Sequence, residues 1–124
     1  MGNNFLRIAV VYLLIGVTVG LSMAKGHDHT LAAVHAHINL LGWASMGLTG
    51  LLYRSFPAAA QSALAAWHFW LYQLAVPVLL LAVVAIYTGH AEADPVAGAA
   101  SVVVLVSVLL FWWVIFSARN SKTA

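Results

Sequence analysis

Charged side chains are nearly absent from this chain. Only 6% of its 124 residues are Asp, Glu, Lys or Arg, where a soluble domain carries about 25%. Such a chain cannot coat a water-facing surface, so it reads as an integral membrane protein. Five basic and three acidic residues, with no Lys/Arg run, exclude the electrostatic footprint of a nucleic-acid binder. Cysteine is missing altogether. That excludes disulfides, thiolate metal sites, Fe–S clusters, thiol catalysis and the Cys-x-x-Cys-His attachment of a covalent haem. Any metal or cofactor must therefore be held by histidine, of which there are six.

What is present is apolar length. The chain is 64% hydrophobic with a mean hydropathy of +0.98. Residues 5–23, 31–53, 64–88 and 96–117 form four runs, each near or above the ~20 residues that span a bilayer. The expectation is one all-α transmembrane domain over residues 1–124, built as a four-helix unit. Ser22-Met23-Ala24 could pass for a signal-peptidase site. The first run exceeds the ~7–15 residues of a signal core, so a retained helix is expected over a cleaved signal.

Local signals punctuate the runs. Gly16-x-x-x-Gly20 is a small-xxx-small pattern that permits close helix contact. Asp28 or Thr30 is positioned to cap the second helix. Pro57 biases Phe56 away from helical geometry and closes that helix. Residues 58–63 then make a short, partly helical connection. Pro77 falls inside the third run, where it should kink the helix and free a carbonyl. Phe111-Trp112-Trp113 suits an interfacial aromatic belt.

With four spans, Arg7, Arg54, Arg119 and Lys122 share one side and only Lys25 falls on the other. The positive-inside rule then places both termini in the cytoplasm, in a bacterial inner membrane. The links 24–30 and 89–95 would face the periplasm, carrying Asp28, Glu92, Asp94, His27, His29 and His90. His35 and His37 lie just below that face. His68, among Trp67, Phe69, Trp70 and Tyr72, sits toward the opposite face and reads as an interfacial residue.

The stretch His35-Ala36-His37-Ile38-Asn39-Leu40-Leu41-Gly42-Trp43 carries the main functional signal. Ionisable groups within a membrane span are functional suspects. Two residues apart on an α-helix point about 200° apart, so His35 and His37 cannot easily share one ion. His35 shares a small, polar face with Asn39, Gly42, Met46, Thr49 and Tyr53, suited to close packing or to a channel for a bulky group. His37 shares an apolar face with Leu41, Ala44 and Leu48. An apolar wall with one imidazole meets the needs of a haem. Interhelical hydrogen bonding is the plain structural reading of both histidines. His27-Asp28-His29 and His90-x-Glu92-x-Asp94 read as solvated links, or as ligands to Cu²⁺ or Zn²⁺ at the membrane mouth.

These residues resemble subunit I of the haem-copper oxidases. There one helix carries His-x-His, and its two histidines serve different haems in adjacent pores. That family's subunit has three four-helix arcs. The present chain has the length of one arc and is similar to short proteins of the cytochrome c oxidase subunit I-like type. Gly16-x-x-x-Gly20-x-x-Met23, Tyr53-Arg54-x-Phe56-Pro57 and His68-Phe69-Trp70 agree with that impression. The resemblance implies His35 and His37 as axial ligands of non-covalent haem b. His90 lies where one arc of the family carries copper ligands. Here it is a single histidine rather than an adjacent pair, which leaves a copper centre short of ligands.

One arc cannot build a two-haem, one-copper centre. The expectation that follows is a homotrimer imitating the twelve-helix fold, with His35 of one subunit and His37 of the next converging on haem between subunits. Gly42, Gly47 and Gly50 would permit close approach near the axis. Electron transfer, or O₂/NO chemistry at an open iron, would be its oxidoreductase-related role, alongside a redox partner protein. The alternatives are a histidine-based Cu/Zn-binding membrane protein without haem and a membrane assembly factor.

Overall fold

The computed structural model describes residues 1–120, with side chains through Ala118. Lys122, which contributed to the orientation argument, lies outside the described residues. The described chain is all-helical. α1 spans Gly2–Gly26. The next rod joins three consecutive pieces, α2 Ala32–His37, a π-helical segment Ile38–Ser45 and α3 Met46–Ser55. A short α4 covers Pro57–Ala60, α5 Ala63–Tyr87, and α6 Asp94–Asn120 after a 3₁₀ turn at Ala91–Ala93. α1, α5 and α6 are each long and apolar enough to cross a membrane.

The boundaries follow local chemistry. Phe56 leaves the helical region at φ −123°, ψ 71°, and Pro57 opens α4 at its first position, where its missing N–H costs nothing. Ser62 caps α5 by accepting from the Ala65 N–H at 3.1 Å. Neither Asp28 nor Thr30 caps α2, whose N-cap is Leu31. The Asp28 carboxylate instead accepts from the Thr30 N–H at 2.9 Å and its hydroxyl at 2.6 Å, closing a turn one step earlier. α5 runs through Pro77 as one helix. The carbonyl lost to Pro77 is that of Gln73, four residues back.

Two helix pairs make the bundle. α1 lies along α2, the π segment and α3, while α5 lies along α6. The first pair is close because glycines remove side chains at the contact. A Cβ at Gly16 would meet the Asn39 amide oxygen at 2.6 Å, and one at Gly20 the His35 ring at 2.8 Å. A Cβ at Gly42 would run into the Tyr12 ring at Cγ, and one at Gly2 would stand 2.7 Å from the Gly50 carbonyl. The Gly16/Gly20 pattern is thus a real helix contact within the chain. Gly42 and Gly50 are occupied by α1 rather than left for an oligomer axis. Gly47 alone of those three faces open space.

The pairs are joined through one aromatic knot. Phe5 of α1, Tyr53 of α3, His68 of α5 and Phe111 of α6 surround a common point, and the first three are at most 2% exposed. Elsewhere Tyr72 of α5 donates its hydroxyl to the Leu41 carbonyl within the π segment at 3.1 Å. The Gln73 amide reaches Met46 Sδ at 3.7 Å.

These contacts set a contrast between glycines on one rod. Gly42→Ala pushes a methyl against the base of the Tyr12 ring, which cannot swing aside, and should cost about 1–3 kcal/mol. Gly47→Ala should be neutral or slightly stabilising through its helix preference, by up to about 1 kcal/mol. Unfolding in mixed micelles compares the two. Equal losses would show that α1 does not pack on Gly42.

Candidate functional site

His35 and His37 leave their helix on different sides. His35 is half-buried over Gly20 of α1. Its ring nitrogens make only 3.3 Å contacts with the Asn39 amide, which donates more closely to the His35 carbonyl at 2.9 Å. Of the two uses open to this face, close packing is the one realised. His37 is also half-buried, but its ring turns back on its own helix, with Nδ1 2.7 Å from the Ala33 carbonyl. A carbonyl only accepts, so Nδ1 carries the proton. That leaves Nε2 as the ring nitrogen not engaged by the helix. Metal-ligating histidines are held the same way, by a bond from the other ring nitrogen.

Exposed apolar side chains continue down the rod below His37. Leu40 and Leu48 are each 63% exposed and Trp43 37%, with Leu48 on the helical phase of His37 and Trp43 turned well away from it. The π segment begins immediately after His37. Wide turns of this kind are rare and frequent at functional sites.

The links carry the remaining outward histidines. His27 ends α1 in the left-handed conformation at φ 51°, a position where glycine or asparagine is usual. His90 Nδ1 pairs with Glu92 at 3.0 Å on an exposed surface. Among the described residues, no three or more His, Asp or Glu gather where they could hold a metal ion. His27, His29 and His90 do not combine with His35 and His37 into one site within this chain.

His68 departs from the sequence expectation. It is 1% exposed, sandwiched between Phe5 and Phe111 with ring centroids at 5.3 and 5.0 Å and tilts of 21° and 27°. Its Nδ1 lies 2.9 Å from the Tyr53 hydroxyl. Its carbonyl accepts from the Ser107 hydroxyl at 3.0 Å, and Ser107 is fully buried. The aromatic neighbours in sequence, Trp67 and Trp70, are more than 60% exposed and do face outward. Helical phase separates the two sets: Ala65, His68, Tyr72 and Ala75 form the buried stripe of α5. That three-then-four spacing was the signal available in the sequence.

No family model matches the chain, and no curated protein or solved structure matches it either. The class defined by the fold is an α-helical integral membrane protein.

Two outcomes follow. His68→Ala opens a cavity among the rings and strands the Tyr53 hydroxyl, and should cost about 3 kcal/mol. Tyr53→Phe removes only the hydrogen bond and should cost about 1 kcal/mol, as membrane interhelical bonds do. Unfolding of both variants in mixed micelles measures this, and indifference to either would place His68 outside the core. The second outcome concerns pH. Hydrogen bonds from the Thr30 hydroxyl and N–H hold the Asp28 carboxyl below its ordinary value. A depressed acid stabilises above its unfolded pKa and loses that effect as pH falls through the folded one. Exchange of the Thr30 amide should therefore be slow at neutral pH and gain extra protection loss below pH ~4 in the native chain. Asp28→Asn should remove that pH step.

Proposed function

We propose that this chain is a membrane haem b protein in which His37 and His35 supply axial ligands, with the haem held between copies of a homotrimer. The observation that carries the reading is the His37 ring. Its Nδ1–H is anchored on the Ala33 carbonyl at 2.7 Å, so Nε2 is the nitrogen free to bind iron. The exposed apolar side chains Leu40 and Leu48 below His37 on the rod offer the dry wall that a porphyrin needs. His35 fits the second role less tightly. Its ring has only long contacts with Asn39 and turns free of Gly20 without breaking a short hydrogen bond. In this reading Ala32–Ser55 is a fourth span, the termini are cytoplasmic and the His-rich links face the periplasm.

A bound haem would supply one-electron redox chemistry. The chain's own residues would orient it, exclude water and set its potential through the Ala33 bond to His37. With two histidines on the iron, the centre would be closed to gases and suited to electron transfer. The resemblance of His35-Ala36-His37 to the oxidase motif supports the same assignment.

Purification after haem-replete expression tests it. Wild-type protein should show a Soret band that barely responds to CO in the reduced state. His37→Ala should lose at least about 90% of the haem, and His35→Ala should leave a CO-reactive remainder. Native mass measurement in gentle detergent should give three chains. Protein with no Soret absorbance, or a haem-free monomer, would overturn the proposal.

A further inference from the structure

A groove of about 260 Å³ opens beside His68, on the side of α3 and α6, lined in part by Leu48, Thr49, His68, Tyr72 and Phe111. Two of its polar groups have no hydrogen-bond partner among the described residues. Thr49 is 7% exposed, and its hydroxyl makes no bond. This is unusual here, because Thr18, Ser22, Ser55, Thr88 and Ser101 all bond back to the carbonyl four residues before them. The second group is the His68 Nε2, since only Nδ1 is engaged, by Tyr53. No buried side-chain nitrogen or oxygen is without both a partner and a path outward among the described residues. Both groups therefore keep contact with open space, and the groove is a space that both residues line.

A hydroxyl and an imidazole nitrogen without partners are costly in apolar surroundings. They are matched by a molecule that brings its own oxygen. His68 lies five residues inside the start of α5, or about 8 Å at 1.5 Å per residue. A helix of 25 residues is about 37 Å long and exceeds a ~30 Å apolar layer, so this depth is within the hydrocarbon. The occupant must come from the bilayer. The volume falls just under the roughly 300–1,000 Å³ of ordinary ligand pockets, which limits it to a single ring. The Tyr72 and Phe111 walls favour a flat one.

We infer that this groove binds the ring of a lipid-soluble carbonyl compound of the benzoquinone type, its oxygen accepting from the Thr49 hydroxyl and from the His68 Nε2–H, with Nδ1 accepting from the Tyr53 hydroxyl. The site borders the apolar surface assigned to haem at Leu48, but Thr49 and His68 take no part in that assignment and quinone binding does not depend on haem. A lipid ester carbonyl has the same acceptor chemistry without the ring, and the test separates them.

The chain is labelled with ¹⁵N-histidine and placed in nanodiscs of ether-linked phosphatidylcholine, which has no ester carbonyl. Tetramethyl-1,4-benzoquinone is then titrated, with the His68 signal assigned by its absence from His68→Asn. The expected result is a saturable shift of the His68 imidazole. Thr49→Val should raise the half-saturating concentration about fivefold, the effect of one neutral hydrogen bond. Leu48→Trp, at an exposed rim position, should fill the groove and abolish saturation. Both variants should keep the wild-type helical content, so that loss of binding is not loss of fold. A shift that rises linearly with quinone, or half-saturation unchanged in both variants, would overturn the inference. So would a His68 signal that moves in ester-linked lipid without quinone and no further when quinone is added.

Discussion

In a chain this apolar, a polar atom away from the helix ends is costly unless it finds a bonding partner, because lipid tails offer it none. That constraint organises the bundle. Exposed serines and threonines satisfy themselves locally, on the carbonyl one turn back. The interior polar groups tie helices together instead. Ser107 holds α6 to the backbone of α5, Tyr53 holds α3 to the His68 ring, and Tyr72 holds α5 to the π segment. Each bond is modest alone. Around His68 they coincide with stacked rings from α1 and α6, so one imidazole is common to all the long rods.

The histidines fall into three environments. Those in the links are exposed to water. His68 is enclosed by aromatic rings and holds the fold. His35 and His37 lie between, half-buried on one short helix but serving opposite sides. His35 is taken up in the contact with α1, where Gly20 makes room for its ring. Among the described residues His37 bonds only to its own helix, which leaves its outer nitrogen unengaged there. That difference is why the two cannot be treated as an equivalent pair, even though they are two residues apart.

The π segment lies where these demands meet. It follows His37, contains Gly42 under the Tyr12 ring, and presents the Leu41 carbonyl to Tyr72. Below it the small, polar face divides. Gly50 continues against Gly2 and Leu6 of α1, while Met46 and Tyr53 engage α5. A single rod thereby contacts both helix pairs.

Much of the architecture was legible from one-dimensional pattern. The apolar runs, the break at Phe56-Pro57 and the Gly16/Gly20 contact follow from composition, proline sterics and side-chain size, all local properties. So does the divergence of His35 and His37, which helical phase dictates. The π turns, the Asp28–Thr30 turn in place of a cap, and the use of Gly42 and Gly50 within the chain were not legible. The glycine contacts depend on which helix lies opposite, and hydropathy does not encode partners. The Asp28–Thr30 turn is local, but Asp and Thr serve equally in turns and caps, so their identity alone does not choose between the two. His68 marks the boundary most clearly. Its sequence neighbours Trp67 and Trp70 suggest an interface, but its own phase turns it inward. Only the convergence of Phe5, Tyr53 and Phe111, residues far apart in the chain, made it the centre of the bundle, because a ring is buried by whatever packs on it and not by what precedes it.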